Sequence, residues 1–268
     1  MDSKSYRTYS NFLKSLSFKL TRFYYKKLDK NFVVYNKLKG KGYDPVTTSD
    51  KAFEKFIRKE IKKRFPTHQI IGEEFGKSKN KSKFSWIIDP IDGTVNFAHG
   101  SSYWCSSVAV RHRGEIVAGA IYAPVLDQLY TASREHPSCL NDRPIQPSSV
   151  KEIEQAMIYT GMSKQVHMET REAVDRLTYL SNAAQKIRMN GSAALDICQV
   201  ACGVADAYLE SGIYLWDYAA AGLIAEQAGA ILHTRPLPHA DGATAVLCST
   251  PGIAETLLPF YNQGIPDD

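Results

Sequence analysis

The sequence predicts an α/β fold with helices and sheets stacked in layers, and the order of its elements is the main reason. Two helical segments open the chain, β-like runs follow between residues 104 and 131, and strands alternate with helices from residue 156 onward. A helix or sheet with one apolar face must bury that face against another element, so this order favours stacked layers. At 268 residues, the chain is long enough for one large domain or two medium ones.

The first third of the chain opens with two predicted helices. Residues 4 to 28 repeat apolar side chains near helical spacing, and a loop rich in glycine and lysine follows at residues 37 to 42. The segment 47 to 50 offers N-cap residues for a second helix, which Pro66 ends. The apolar positions that predict the two helices are Phe12, Leu13, Leu16, Leu20, Phe23 and Tyr24 in the first and Phe53, Phe56, Ile57 and Ile61 in the second.

Strands dominate the middle of the chain. Two are predicted near residues 69 to 72 and 84 to 89, and the runs CSSVAVR, EIVAGAIY and QLYTA then indicate an antiparallel meander punctuated by Gly114 and Pro124. Beyond the meander, the predicted strands are AMIYT, KIRM and DAYLE, and the predicted helices cover residues 166 to 181, 192 to 202, 217 to 228 and about 250 to 260.

The change of pattern near residue 145 divides the chain into two parts. Residues 1–145 make an N-terminal α+β part, and residues 146–268 make a C-terminal α/β part. The sequence contains neither an internal repeat nor a low-complexity linker between them. We therefore expect the two parts to form one continuous catalytic unit.

The composition is that of an ordinary soluble globular protein, with 44% hydrophobic and 23% charged residues. No apolar run approaches the ~20 residues that span a bilayer, and no signal-like apolar core follows Met1. We therefore expect a cytoplasmic protein with no membrane partner. The odd number and scattered positions of the cysteines suit reduced thiols better than a disulfide framework. They are Cys105, Cys139, Cys198, Cys202 and Cys248.

The net charge of +5 hides an asymmetry between the two ends of the chain. Residues 1 to 86 hold 22 Lys and Arg against 8 Asp and Glu, a balance of +14, whereas residues 87 to 268 hold 11 against 20, a balance of −9. The lysines are spread over helical segments and the loop at residues 77 to 83, without the motif of a nucleic-acid module. Nucleic-acid binding is therefore not expected, and a regulatory scaffold with a basic N-terminal surface is the non-enzymatic alternative.

Three acidic clusters follow predicted strands or open a predicted helix. They are Glu73-Glu74, the pair Asp89 and Asp92, and Asp217. Taken alone, the first would be a solvated loop pair and the last a helix cap, since acids at a helix N-terminus favour the helix dipole. Together they call for a shared cation, and oxygen ligands without histidine or thiolate select a hard ion such as Mg²⁺.

The residues around the central pair suit a phosphate as well as a metal. Pro90 fixes its own φ and offers no N–H, which helps turn the chain so that Asp89, the Ile91 carbonyl and Asp92 can converge. Gly93 lets the backbone approach a ligand closely, and the amides of a following helix start would cradle a phosphate. The grouping predicts metal-assisted phosphoryl transfer.

At this point the sequence resembles the inositol monophosphatase family of magnesium-dependent, lithium-sensitive phosphatases. The resemblance rests on IIGEE (70 to 74), WIIDPIDGTVNF (86 to 97), NGSAALD (190 to 196) and ADAYLESGIYLWDYAAAG (205 to 222), in the family's order. With DPVTTSD (44 to 50), it covers most of the chain. It implies a five-layer αβαβα sandwich of the inositol monophosphatase and fructose-1,6-bisphosphatase type, two or three Mg²⁺ ions per site, and a homodimer.

The resemblance also implies the roles of the acids. Thr94 and Asp50 match the groups that orient and help deprotonate the attacking water, and Glu73 shares in catalysis. The metal ligands that it implies, with Glu74 nearby, are Glu73, Asp89, the carbonyl of Ile91, Asp92 and Asp217.

Further matches place the substrate. Glu210 would accept hydrogen bonds from the hydroxyls of a sugar alcohol, and the residues at positions 191 to 193 of the NGSAALD segment match positions that contact the same part of the substrate. The substrate-binding residues implied in this way are Asp92, Gly93, Thr94, Gly191, Ser192, Ala193, Glu210 and Asp217.

The function predicted from these residues is hydrolysis of inositol monophosphate by a metal-activated water, without a phosphoenzyme. Histidinol phosphate, NADP and fructose bisphosphate remain alternative substrates, because relatives with the same acid core handle them. Two departures from the family pattern bear on substrate preference: Val95 replaces a threonine, and residues 134 to 139 replace a glycine-rich hairpin. The CxxxxxR spacing of Cys105 and Arg111 is typical of cysteine-dependent phosphatases, but its valines predict a strand.

Overall fold

The computed structural model covers most of the chain, and two predicted features lie partly or wholly outside the residues that it describes. These features are the loop at residues 37–42 and the first residues of the helix predicted from residue 166. Among the described helices, none is long and apolar enough to cross a membrane. The described residues are 3–27, 34–36, 45–162, 170–238 and 240–262.

Two long helices form the first layer. Helix α1 spans Ser3–Lys27 and helix α2 spans Thr48–Arg64. Helix α2 begins with a reciprocal cap, because the Thr47 hydroxyl oxygen accepts a hydrogen bond from the Asp50 amide and the Asp50 carboxylate accepts one from the Thr47 amide. It ends at Arg64, two residues before Pro66, as the sequence predicts.

An eight-stranded sheet lies under these helices. It is antiparallel except where β3 runs parallel to β5, and its strand order is β10-β9-β8-β7-β6-β5-β3-β4. A separate pair, β1 (Val34–Asn36) and β2 (Pro45–Thr47), precedes it, and the short helix α3 (Thr94–Ala98) follows β5. The strands are β3 (Gln69–Gly72), β4 (Gly76–Lys77), β5 (Phe84–Asp92), β6 (Cys105–His112), β7 (Glu115–Ala123), β8 (Gln128–Ser133), β9 (His136–Leu140) and β10 (Arg143–Pro144).

The second half of the chain supplies a five-stranded mixed sheet and four helices. The strand order is β12-β11-β13-β15-β14, with β11 parallel to both of its neighbours. The strands are β11 (Met157–Thr160), β12 (Lys186–Arg188), β13 (Ala207–Ile213), β14 (Ile231–Pro236) and β15 (Thr244–Ser249). The helices are α4 (Thr170–Ala183), α5 (Ala193–Ala201), α6 (Leu215–Ala228) and α7 (Ala254–Asn262).

Three hydrophobic cores hold five layers together in the order αβαβα. The first core joins α1 and α2 to the large sheet through buried side chains such as Leu13, Ile57 and Trp86. The second places α5 and α6 between the two sheets, and the third packs α7 and α4 on the outer face of the small sheet. The predicted layered fold and its five-layer form are therefore confirmed.

Most predicted elements form, and one strand of the large sheet is longer than predicted. Strand β5 continues three residues beyond its predicted end at residue 89, so both of its acids lie inside the strand. The segment at residues 134–139 still makes a hairpin, because β8 pairs with β9. The CxxxxxR run lies in β6, and an extended strand cannot wrap a phosphate. This architecture does not test the predicted boundary near residue 145. The division of the chain into two parts therefore remains a prediction.

Candidate active site

A bulge in strand β5 turns two carboxylates to the same side. In the pairing of β5 with β6, Asp89 lies opposite Ser107 and Asp92 lies opposite Cys105, so three steps along β5 match two along β6. Residues three apart in a regular strand point to opposite faces, and one extra residue restores the same face. Pro90 lies in the bulge, where the missing N–H of proline costs no ladder hydrogen bond.

Asp89 lies at the bottom of the site, almost completely buried. Its Oδ1 accepts a hydrogen bond from the Ile91 amide at 2.9 Å. Burial raises the pKa of Asp89 well above its usual range, and the neighbouring carboxylates of Glu73, Asp92 and Asp217 raise it further. Buried carboxylates this close to one another need a compensating positive charge.

Asp92 is held by the start of helix α5. Its Oδ2 accepts hydrogen bonds from the Ser192 hydroxyl at 2.6 Å and from the Ala194 amide at 2.7 Å. Burial raises the pKa of Asp92 to about 6, although the hydrogen bonds from Ser192 and Ala194 act to lower it. The predicted substrate residue Ser192 therefore also orients a predicted metal ligand.

Asp217 reaches the same point from the opposite layer. It is the third residue of helix α6, where its Oδ2 accepts a hydrogen bond from the Tyr214 amide at 2.6 Å. One carboxylate oxygen each from Asp89, Asp92 and Asp217 lies within 4.8 Å of the others. Asp217 is thus a helix cap and a member of the acidic cluster at once.

Glu73 approaches this cluster from the turn after β3. Its side chain hydrogen-bonds with that of Asp89, and its amide donates to the Ile88 carbonyl at 3.1 Å. It is not one of the three acids whose oxygens converge most closely. Its neighbour Glu74 follows in the same turn, where its amide donates to Glu54 at 2.7 Å.

Thr94 and Asp50 form a pair beside the acids. The Thr94 Oγ1 lies 3.0 Å from Asp50 Oδ1 and 3.0 Å from the Ile91 carbonyl oxygen. Asp50 is completely buried, and its other oxygen accepts from Thr47, so its position is fixed by the cap of α2. A Thr94 hydroxyl that donates to Asp50 keeps its lone pairs for a hydrogen bond from water.

The predicted site residues surround one cleft of about 820 Å³. Asp50, Asp89 and Ile91 lie behind its surface. Gly93 and Gly191 adopt positive φ and meet closely, since a Cβ on Gly93 would lie 3.1 Å from the Gly191 carbonyl oxygen. The predicted residues that line the cleft are Glu73, Asp92, Gly93, Thr94, Gly191, Ser192, Ala193, Glu210 and Asp217.

Glu210 faces the cleft from strand β13. Its Oε2 accepts a hydrogen bond from the Tyr208 hydroxyl at 2.7 Å, and its carboxylate packs directly on Gly161, where a Cβ would lie 2.0 Å from Oε2. Burial raises the pKa of Glu210 to about 7, Tyr208 and Arg176 lower it, and Asp92 raises it. A carboxylate in this position can exchange hydrogen bonds with the hydroxyls of a ligand.

The donor set of the acidic cluster fits a hard divalent cation. Its converging atoms are carboxylate oxygens, and Ile91, whose carbonyl oxygen lies 3.0 Å from Thr94 Oγ1, is in the bulge between Asp89 and Asp92. The Cys105 sulfur is 3.9 Å from Asp92 Oδ2, and burial raises the pKa of this thiol well above its usual range. Oxygen donors of this kind suit Mg²⁺.

The sequence analysis missed a network that braces the cleft. Asp196 Oδ1 accepts hydrogen bonds from the Tyr103 hydroxyl at 2.7 Å and the Asn190 side chain at 2.8 Å. The Asn96 side chain donates to the carbonyls of Tyr103 and Asn190, at 2.8 and 2.7 Å. Burial raises the pKa of Asp196 to about 7. An acid inside the apolar run of α5 was the available signal, because a buried acid needs partners.

Comparisons with known proteins agree with this site. A model of the inositol monophosphatase family matches residues 6–259. The chain is 39% identical over 186 residues to Nus factor SuhB of Xylella fastidiosa, covering 69% of this chain and 67% of that protein. It is 35% identical over 215 residues to inositol-1-monophosphatase of Synechocystis, covering 80% and 75%.

Solved structures share the fold over nearly the whole chain. A SuhB structure from Bartonella henselae matches with a TM-score of 0.84 and 29% identity, covering 98% of this chain and 100% of that one. A structure described as an IMPase/NADP phosphatase complexed with Mg²⁺ and phosphate matches with a TM-score of 0.83 and 25% identity, covering 97% of each chain. The chain therefore belongs to the inositol monophosphatase family.

Proposed function

We propose that the chain is a Mg²⁺-dependent phosphomonoesterase that hydrolyses inositol monophosphate to inositol and phosphate. The observation that carries the proposal is the convergence of Asp89, Asp92 and Asp217 at the floor of a cleft, beside the hydroxyl of Thr94. Buried acids without a bound cation raise one another's pKa, so the cluster is suited to receive positive charge. The Mg²⁺ and phosphate in the related solved structure support the same conclusion.

The residues that would hold Mg²⁺ are the floor acids with Glu73 and the Ile91 carbonyl. Two or three ions bound there would lower the pKa of the attacking water and stabilise the negative charge on the phosphoryl oxygens. The chain itself fixes these ligands by hydrogen bonds from backbone amides. The Ile91 amide donates to Asp89, an amide at the start of α5 donates to Asp92, and the Tyr214 amide donates to Asp217.

Thr94 and Asp50 would act on the attacking water. The Thr94 hydroxyl donates a hydrogen bond to Asp50. Its oxygen can therefore accept a hydrogen bond from the attacking water and orient that water. Because Asp50 also accepts from Thr47, its carboxylate cannot turn away from Thr94 without breaking the cap of α2. Attack of this water on phosphorus would release the alcohol with no phosphoenzyme.

The opposite wall of the cleft supports an uncharged polyol as the leaving group. Glu210 offers one carboxylate to the hydroxyls, and the nearby Gly191, Ser192 and Ala193 add no positive or negative charge. A cationic histidinol would favour more acids around the leaving group. NADP and fructose bisphosphate stay alternatives, and the related IMPase/NADP phosphatase supports the former.

A regulatory scaffold is the second candidate, and the charge of the first layer favours it. Helix α1 contains seven basic residues and no acid. In α2, Asp50 and Glu54 are buried, and Glu60 pairs with Lys19 at 2.5 Å. The two helices together contain fourteen basic residues against these three acids. Relatives named Nus factor SuhB support a role besides hydrolysis.

Phosphate release from a panel of substrates tests both candidates. The purified chain is assayed with myo-inositol 1-phosphate, histidinol phosphate, NADP and fructose 1,6-bisphosphate, in Mg²⁺ and in EDTA, and kcat/KM is compared. We expect inositol phosphate among the best substrates and no turnover in EDTA. A preference for histidinol phosphate of about a hundredfold would overturn the substrate. No release from any substrate would favour the scaffold.

Three expectations accompany this proposal. The chain assembles as a homodimer, so light scattering gives about twice its mass of 29.9 kDa. Lithium inhibits turnover, as in the family that the chain belongs to. The protein acts in the cytoplasm, which fractionation of cells that express it would check.

A further inference from the structure

The buried carboxylate of Glu54 makes contacts that the proposed mechanism does not use. Glu54 lies in α2, one helical turn after Asp50, and is completely buried. Its Oε1 accepts a hydrogen bond from Arg58 Nε at 2.6 Å, and its oxygens also accept from the amides of Glu74 at 2.7 Å and Phe75 at 3.3 Å. Two consecutive amides of the turn that carries Glu73 therefore point at this carboxylate.

Glu54 also packs tightly against Gly72, the residue before Glu73. A Cβ on Gly72 would lie 2.1 Å from Glu54 Oε1, so the carboxylate packs directly on the backbone before Glu73. The Glu73 amide donates to the Ile88 carbonyl at 3.1 Å, which ties the same turn to strand β5. The backbone on both sides of Glu73 is thus fixed from α2, and Glu73 itself from the large sheet.

Arg58 closes the arrangement. Its Nη2 donates to the Gly76 carbonyl, and its guanidinium lies 5.9 Å from the centre of the Phe75 ring. Its pairing with Glu54 supplies the positive charge that a completely buried carboxylate needs. If apolar residues replaced Glu54 and Arg58, they could be buried in this layer equally well. The amides of Glu74 and Phe75 would then have no acceptor for their hydrogen bonds.

We propose that Glu54, with Arg58, is a positioning residue that holds the Glu73 turn and thereby sets the affinity of the site for Mg²⁺. The proposal rests on the proposed function only in taking Glu73 as a metal ligand. Helix α2 then serves the site twice from one face: Asp50 fixes Thr94, and Glu54 fixes Glu73.

The test compares Glu54→Gln with wild type in the full chain. Thermal unfolding is followed over a Mg²⁺ titration, since a ligand that binds the folded state raises Tm according to its Kd. The Mg²⁺ concentration for half-maximal phosphatase activity is measured in parallel. Groups that orient metal ligands are worth about 10- to 100-fold in metal affinity, so we expect two Mg²⁺ concentrations to rise by that factor: the one that gives half-maximal activity and the one that gives a fixed increase in Tm. At saturating Mg²⁺, kcat should stay within a few-fold of wild type.

Asp206→Asn is the matched control. Asp206 is another buried carboxylate, but it accepts from the Ser148 hydroxyl at 2.5 Å and the Met157 amide at 2.7 Å in the second sheet. Its loss should lower Tm without moving the Mg²⁺ midpoint. If Glu54→Gln does not fold, Arg58→Lys, which keeps the charge but loses the planar fork, provides the same titration.

A Mg²⁺ midpoint within about twofold of wild type in a folded Glu54 or Arg58 variant would overturn the proposal. So would a wild-type Tm that does not respond to Mg²⁺. If wild type hydrolyses none of the panel substrates but Mg²⁺ raises its Tm, and Glu54→Gln weakens that response, the positioning role stands and the proposed function fails.

Discussion

The floor and the wall of the cleft are built in opposite ways. The floor, made of Asp89, Asp92 and Asp217, receives a backbone N–H on each carboxylate. The wall is the part of the cleft lined by Glu210, Gly191, Ser192 and Ala193. Its single carboxylate, that of Glu210, accepts a hydrogen bond from one neutral hydroxyl and packs on Gly161, where a side chain would not fit.

This difference separates chemistry from substrate choice. Backbone donors depend on the strand bulge and on two helix starts, so the fold itself sets the positions of the floor carboxylates. The wall depends on side chains, so it can differ between relatives that share the floor. Substitutions in the floor should therefore abolish turnover of every substrate, and substitutions in the wall should change the ranking of substrates.

The largest effect is expected for Asp92→Asn. The change keeps the shape of the side chain but removes one ligand charge, and a metal-assisted reaction should then lose several kcal/mol of stabilisation, about a thousandfold in kcat. The loss should be the same for inositol phosphate and for an aryl phosphate. Asp127→Asn, at an exposed turn with φ of 51°, is the isosteric control and should keep full activity. Retention of most activity by Asp92→Asn at saturating Mg²⁺ would contradict the floor's role.

A smaller effect is expected for Thr94→Val, which lies beside the floor. Valine has the shape of threonine but cannot hydrogen-bond to Asp50 or to water, and such proton-transfer contacts are worth about 10²- to 10⁴-fold. We expect a loss of kcat near the lower end, with KM little changed, in steady-state assays on two substrates. Thr94→Ser keeps the hydroxyl and should recover most of the rate. A loss in Thr94→Ser as large as the loss in Thr94→Val would contradict a role that depends on the hydroxyl.

The floor was also the more predictable part from the sequence. Acids next to apolar strands and a proline between two of them are local signals, and they led to Asp89, Asp92 and Asp217. The resemblance added Asp50 and Glu210, for which the residues alone left a helix end or an edge strand as the simpler explanation. The layers followed from the order of helices and strands.

Other features depend on contacts between distant segments and leave no local signal. The bulge that aligns Asp89 with Asp92 exists only in the pairing with β6. The Ser192 hydroxyl reaches Asp92 across 100 residues of sequence. No local signal singles out Glu54, because the amides that it accepts from, those of Glu74 and Phe75, lie 20 and 21 residues away in the sequence.

The wall is tested by Glu210→Gln. The amide keeps the size of the side chain but loses the charge that accepts from ligand hydroxyls, so kcat/KM for inositol 1-phosphate should fall about 10- to 100-fold. An aryl phosphate, which has no hydroxyls to bind, should change by less than about threefold. Glu226→Gln, on the outer part of α6 where Glu226 pairs with Arg134 at 3.2 Å, is the control. An equal loss for both substrates would place Glu210 with the floor.

The smallest effect is a difference in how pH acts on the metal-free and metal-bound protein. Burial raises the pKa of Asp92 to about 6 and that of Glu210 to about 7, both above their ordinary values. Between the ordinary and the raised values, the folded state binds more protons than the unfolded state, so the free energy of unfolding falls as pH rises. In EDTA, Tm should therefore be lower at about pH 8 than at about pH 5.5.

Mg²⁺ should reduce this fall, because a cation on the floor stabilises the ionised carboxylates and removes the advantage of the protonated state. Glu210→Gln should also reduce it, since glutamine does not titrate, whereas Asp127→Asn should leave it unchanged. Calorimetry at the two pH values measures this change in Tm for wild type with and without Mg²⁺ and for each of the two variants. If the metal-free protein is as stable at the higher pH as at the lower, the chain itself already compensates the charge of the buried acids. The argument for a cation on the floor would then lose its electrostatic basis.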